Sequence, residues 1–171
     1  MEPNVKGLVR IRVRRGINLA VRDLTTLSDP YIVFTMGLEK VKTHVVKDDS
    51  NPEWNADLAM HVKDPNVPIS LSVFDKDNVT LDDKLGDAEF DIRTLVRCMK
   101  KGTEALPDGT NLDRVEPSSD NHLADTSYVI WQNGKMVQEM RLKLRNIECG
   151  EVEIQVEWVD LTDASAYKIL E

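Results

Sequence analysis

Several features that would send the reading elsewhere are missing from this chain of 171 residues. No stretch approaches the roughly 20 consecutive apolar residues that a helix needs to cross a bilayer, so a membrane, if met, is met from outside. The first residues, MEPNVKGLVRIRV, lack the apolar core of a secretory signal. Cysteine is scarce: Cys98 and Cys149 form neither a CxxC pair nor a disulfide framework, which makes a reducing cytosol the expectation. An excess of basic residues is also absent. With 22 Lys and Arg against 30 Asp and Glu, the net charge of −8 excludes nucleic acid as a general partner, and a bare anionic membrane would repel the chain. The phosphate-cradling patterns GxxxxGK[ST] and GxGxxG do not occur. His44, His61 and His122 are dispersed, without a nucleophile partner or zinc spacing. These absences favour a regulator or adaptor, not an enzyme, and the length suits one domain.

What is present is mostly period two. GLVRIRVRR sets Val9, Ile11 and Val13 against Arg10, Arg12 and Arg14, the pattern of a strand with one buried and one wet face. PYIVFTMG, KVKTHVVK, WNADLAMHV, ISLSVFD, GDAEFDI, SYVIWQ, VQEMRLKLR and EVEIQVEWVDL read the same way. Short strands separated by Gly, Pro, Asn and Asp turns predict an all-β, antiparallel sandwich. Trp54, Trp131 and Trp158 fall in strand patterns and are expected in its core. One helix breaks the series in DIRTLVRCMKK, where Ile92, Leu95, Val96 and Met99 recur at helical spacing. The following GTEALPDGTNLDRVEPSSDNHLAD is turn-rich with little periodicity and reads as a surface excursion; TDASAYKILE at 162–171 reads as a C-terminal tail.

Acid is concentrated in loops. VFDKDNVTLDDKLGD, residues 73–87, holds five aspartates in fifteen positions. Asp75 and Asp77 sit two apart at a strand end and Asp83 follows, while NLAVRDLTTLSDPYIV offers Asp23 and Asp29 in an earlier loop. Short carboxylates on two loops at one end of a sandwich could converge on hard cations, which take six to eight oxygen ligands. The EF-hand alternative fails: counted from Asp75, Val79, Thr80 and Gly86 stand where a ligand, a glycine and a glutamate belong. Aspartate also caps turns, and Asp82, Asp87 and Asp91 are read that way.

LTTLSDPYIV, NPEWN, and D-x-D followed by D-x-x-G (Asp75, Asp77, Asp83, Gly86) together resemble the C2 domain, a calcium- and phospholipid-binding sandwich. With GLVRIRVRRGINLAVRD, RVEPSSDNHLAD and LRNIECGEVEIQVEWV, the likeness extends over about residues 6–160 to the plant C2-domain abscisic-acid-related family, which includes small C2-type GTPase-activating proteins. The resemblance implies one C2 domain over 1–171, an eight-stranded sandwich of type II topology with a family-type insertion at about 93–135 carrying a helix and an extra strand. It implies that Asp23, Asp29, Asp75, Asp77 and Asp83, with the backbone carbonyls of Arg22 and Lys76, bind two or more Ca2+ ions. DLTTLSD and DNVTLDD depart from the commoner loops of the plant family, so ion number is less determined than ion binding. The implied partners are an anionic phospholipid membrane and an abscisic-acid receptor, or an Obg-like GTPase to which an arginine such as Arg93, Arg97, Arg114 or Arg145 is supplied. The implied locations are the cytoplasm, the plasma membrane in a calcium-dependent peripheral manner, and the nucleus.

Five carboxylates carry −5; two calcium ions bring the patch to −1 and a third to +1, which would turn a lipid-repelling end into one that bridges to headgroups. Leu24 and Leu27 on the first loop and Val79 and Leu81 on the later one could dip into the headgroup boundary or pack against each other. Lys40 and Lys42 share one strand face, with Lys47 nearby, and could contact phosphoinositide; exposed lysines also serve solubility and discourage edge pairing.

Overall fold

The computed structural model describes residues 4–22, 25–102 and 106–162. Alternation in the first strand, β1 (Gly7–Ile17), becomes burial alternation: Val9, Ile11 and Val13 are inside while Arg10 and Arg12 face out. A bulge between Val13 and Arg15 then shifts the register. β1 lies between β10 (Glu151–Asp160) and β4 (Glu53–Val62), both antiparallel to it. β9 (Lys135–Lys143), β8 (Ser127–Gln132) and β7 (Thr110–Val115) extend this sheet to six strands in the order β4-β1-β10-β9-β8-β7. The facing sheet has four strands: β3 (Glu39–Lys42), β2 (Pro30–Met36), β5 (Ile69–Asp75) and β6 (Asp83–Phe90), in the order β3-β2-β5-β6.

Between the sheets lies one apolar core that includes Ile11, Phe34, Leu71, Leu85, Leu142 and Ile154, each at most 1% exposed. All three tryptophans are buried in it, as expected. The helix α1 (Arg93–Lys100) turns Leu95, Val96 and Cys98 inward and rests against β7 and the neighbouring strands of the six-stranded sheet. Ile92 at its N-cap offers no side-chain acceptor, and Asp91 instead takes the Arg93 N–H at 2.7 Å.

Two expectations need correction. The stretch after the helix is not all excursion, because Thr110–Val115 forms β7 and pairs with β8. As a sheet edge it alternates poorly, and a bulge between Asn111 and Asp113 breaks what pattern remains. The segment between β6 and β9 therefore adds α1 and two strands, not one; the other eight strands stand four against four. KVKTHVVK is strand only through Lys42. There Thr43 turns inward, and its hydroxyl accepts the Ile32 N–H at 3.0 Å. The tail lies outside the described residues beyond Thr162.

Candidate functional site

At one end of the sandwich, hydrogen bonds tie the loop between β1 and β2 to the start of β4 and the residues just before it. Asn51 of NPEWN accepts the Asn18 N–H at 2.8 Å, Ser50 O accepts the Leu19 N–H at 2.9 Å, and the Trp54 indole donates to Pro30 O at 3.1 Å. Ser28, 1% exposed, donates its hydroxyl to Ala20 O at 2.9 Å. The loop leading into β2 is thus clamped from both sides before any ion is considered.

Strand pairing then places the expected ligands. Pro30 and Asp83 are the β2 and β6 partners of Asp75, so Asp29, Asp75 and Asp83 occupy neighbouring strand ends across β2, β5 and β6. Asp75 Oδ1 accepts the Asp29 N–H at 2.8 Å, and Asp29 O accepts the Lys76 N–H at 3.0 Å. Burial, and repulsion from Asp29, Asp83 and Asp77, hold the Asp75 carboxyl above the ordinary carboxylate range despite that hydrogen bond. Asp77, expected with Asp75 at a strand end, lies beyond the end of β5. It closes its own loop, taking the Val79 N–H at 2.8 Å and the Thr80 N–H and hydroxyl at 3.1 and 2.7 Å. Those donors pull its carboxyl below the usual range. Asp23 and Leu24 lie outside the described residues.

Two acids shape the site without having been read as part of it. Asp82 accepts the Asp77 N–H at 2.9 Å and the Tyr31 hydroxyl, with Lys76 Nζ at 3.8 Å. These partners, the Asp77 N–H first, lower its carboxyl, while burial and that hydrogen bond push the Tyr31 hydroxyl up to about 12. Asp48, on the loop between β3 and β4 at φ +53°, accepts the Leu27 N–H at 3.0 Å and donates its own N–H to Asp29 Oδ1 at 2.7 Å. The one sequence signal for Asp48 is its place just before NPEWN. Asp82 and Asp91 take local backbone N–H groups as expected, whereas Asp87 engages side chains instead, pairing with Lys84 at 2.9 Å and receiving the Asn146 side-chain amide.

Arg22 makes a two-pronged pair with Glu148 at 2.7 and 2.9 Å, which holds the Glu148 carboxyl down at about 2, and it lies within electrostatic reach of Asp83. Of the expected lipid contacts, Val79 and Leu81 stand 92% and 91% exposed and Leu27 46%, so these side chains do not pack against one another as a covered cluster. Lys40 and Lys42 are exposed on β3, the edge of the four-stranded sheet.

Among the described residues no three His, Cys, Asp or Glu side chains are gathered closely enough to form a ready cation cage. The donor set nevertheless suits a hard cation: oxygen ligands only, and a half-buried Asp75 whose charge is opposed by three neighbouring carboxylates, a conflict that a divalent ion would relieve. Asp29, Asp75, Asp77 and Asp83 would hold it, giving up some of the N–H contacts that they now accept.

The family model described as C2 domain matches residues 7–106. The chain is 54% identical to protein C2-DOMAIN ABA-RELATED 5 of Arabidopsis thaliana over 155 residues, covering 91% of this chain and 77% of that one. It is 48% identical to GTPase activating protein 1 of Oryza sativa subsp. indica over 155 residues, covering 91% and 93%. Among solved structures, a C2 domain of a plant extended synaptotagmin 1 superposes with TM-score 0.63 at 21% identity, covering 93% of this chain and 98% of that one. A calcium-bound pair of C2 domains from extended synaptotagmin 2 superposes with TM-score 0.62 at 20% identity; the chain spans 48% of that protein. At such identities these two structures bear on the fold alone.

Proposed function

We propose, from the premise that this chain belongs to the C2-domain family and within it to the C2-domain ABA-related proteins, that it is a calcium-dependent adaptor recruiting partners to anionic phospholipid. The observation that carries the reading is the row of Asp29, Asp75 and Asp83 at adjacent strand ends, with Asp75 half-buried and repelled by its neighbours. Bound calcium supplies positive charge and open coordination positions for phosphate oxygens. This chain's part is to hold the acids in register and to present Val79 and Leu81 beside them. No helix among the described residues is long and apolar enough to cross a membrane, and attachment from the surface is the mode that the loops support.

The names of the relatives point toward abscisic-acid signalling, and an abscisic-acid receptor is the partner we assign on that basis. Liposome sedimentation with and without calcium tests the adaptor reading. Binding undiminished in an Asp75→Ala, Asp77→Ala double variant would overturn it.

The relative named as a GTPase activating protein supports a second reading, stimulation of an Obg-like GTPase with no catalytic site in this chain. Of the four arginines considered, Arg93 is held by Asp91 at 2.5 Å, Arg114 by Glu116 at 3.2 Å, and Arg145 donates to Asn121 O at 3.2 Å. Arg97 is held more loosely, by Thr94 at 3.3 Å and Asp113 at 3.9 Å, so it is the one most easily lent to a phosphoryl group. A hydrolysis rate unchanged by the protein, with the nucleotidase present, counts against this reading.

A further inference from the structure

Arg22, Lys76 and Lys84 are each adjacent in sequence to a proposed calcium ligand, and each is held by an acid outside the ligand set. Lys76 Nζ lies 3.8 Å from Asp82, Lys84 Nζ lies 2.9 Å from Asp87, and Arg22 forks onto Glu148 at 2.7 and 2.9 Å. Arg22 is also within electrostatic reach of Asp83. Asp83 is the ligand that a released cation would find open. Asp29 accepts the Asp48 N–H, Asp75 accepts the Asp29 N–H, and Asp77 takes two N–H groups and the Thr80 hydroxyl, whereas the Asp83 carboxylate makes no hydrogen bond or close ion pair with another described residue.

Glu148 is placed to keep Arg22 away from that acid. Its loop, between β9 and β10, is fastened to β6, the strand that Asp83 begins. Arg145 N–H donates to Asp87 O at 2.8 Å, Asp87 N–H returns a bond to Arg145 O at 3.1 Å, and the Asn146 amide reaches the Asp87 carboxylate at 3.1 Å. Gly86, at φ +113°, lies so close to this loop that an added Cβ would sit 2.6 Å from Ile147 Cγ2. The carboxylate that receives Arg22 is therefore carried on backbone fixed to the same strand as Asp83. Two parallel N–H···O bonds from a guanidinium fix direction as well as distance. With side chains 37% and 59% exposed, the pair contributes little to stability, so its effect lies in where it keeps the cation.

We propose that Glu148 is a positioning residue for calcium binding: by holding Arg22 it prevents an Arg22–Asp83 pair and leaves the Asp83 carboxylate open to the ion. The inference rests on the calcium reading above and adds to it a residue remote in sequence from both acidic loops.

The test is a double-mutant cycle on the full chain, read by calorimetric titration with calcium. Glu148→Gln should weaken binding about three- to fivefold, because the ion must then displace Arg22 from Asp83. Arg22→Gln should strengthen binding by no more than about 1.5-fold in the unaltered chain, but by at least about threefold in the Glu148→Gln background. Equal gains in the two backgrounds would mean that the two charges act on the ion independently, and would overturn the proposal, as would an affinity unchanged in Glu148→Gln. A second readout needs no calcium. In chelator, Asp83→Asn should move the Arg22 Nε NMR signal at least about threefold further in Glu148→Gln than in the otherwise unaltered chain, and equal movement refutes the proposal. An unaltered chain that takes up no calcium refutes the calcium reading itself, and the chelator comparison then decides whether Glu148 holds Arg22 off Asp83.

Discussion

Replacing Asp75 by Asn separates the two opposite things that this carboxylate does. The amide oxygen of Asn can still accept the Asp29 N–H, so the backbone contact at 2.8 Å survives the change. What is lost is a charge facing Asp83 directly across the β5–β6 ladder. Like charges in that arrangement cost about 0.2–1 kcal/mol. The sign follows from the direction of the Asp75 shift. Its carboxyl is raised, first by burial and then by the neighbouring acids, so the ionised form is disfavoured in the fold. The penalty develops as pH rises through the carboxylate range and is complete at neutral pH. In chelator, Asp75→Asn should therefore melt about 0.4–4 °C higher than the unaltered chain, using about 2–4 °C per kcal/mol for a domain of this size. Calcium at a hundred times its dissociation constant should stabilise the unaltered chain by about 2.7 kcal/mol, a rise of about 5–11 °C, and the variant should lose most of that rise. Scanning calorimetry at pH 7 in chelator and in millimolar calcium reads both effects. A variant that melts lower in chelator refutes the repulsion argument, and one that keeps the full calcium shift refutes the ligand assignment.

The loop tip provides a cleaner surface test: Val79→Ser with Leu81→Ser, at positions 92% and 91% exposed, should leave the melting temperature within about 1 °C yet weaken calcium-dependent liposome binding several-fold. Trp54→Phe removes the indole donor to Pro30 O and leaves space in the core, although that carbonyl keeps the Val46 N–H at 3.1 Å; chemical denaturation should show a loss of about 1–3 kcal/mol and a smaller calcium response, because Asp29 is next in the chain. His122 uses Nδ1 to accept the Glu89 N–H at 2.9 Å, and burial followed by the charge of Arg145 lowers its pKa from the ordinary 6.5. Its contribution to stability is present above the unfolded value and lost as pH falls through the lower folded value. The melting temperature should accordingly drop more between pH 7 and 5.5 than it does in His122→Gln, and an NMR titration placing His122 above 6.5 would contradict this.

Most of the sandwich was legible because its strands each bury one face. Val9, Ile11 and Val13 against Arg10 and Arg12 state the fold in period two, and the same holds for β4 and β10. Legibility failed where a strand's burial is shallow and irregular. β7 runs along a sheet edge, and its bulge at Asn111–Asp113 breaks the alternation that sequence reading depends on. The far half of KVKTHVVK failed for a different reason. Thr43 turns inward and commits its hydroxyl to the Ile32 N–H, His44 and Val45 are both exposed, and the regular ladder ends at Lys42.

The acids divide along a related line. Asp29, Asp75 and Asp83 were readable as a group because strand ends fix where a short side chain begins, and pairing across β2, β5 and β6 makes three distant positions neighbours. Asp48 and Asp82 act through loop backbone, whose conformation no periodicity encodes. Asp82 receives the N–H of Asp77 and the hydroxyl of Tyr31, while Asp48 joins Leu27 to Asp29. Adjacent aspartates such as Asp82 and Asp83 are therefore indistinguishable by type and opposite in role. Asp82 uses its lone pairs to hold the loop, and Asp83, at the start of β6 opposite Asp75, adds to the charge that a cation would neutralise. The density of acid in this loop thus has two sources: some carboxylates build the frame, and the frame forces the others together.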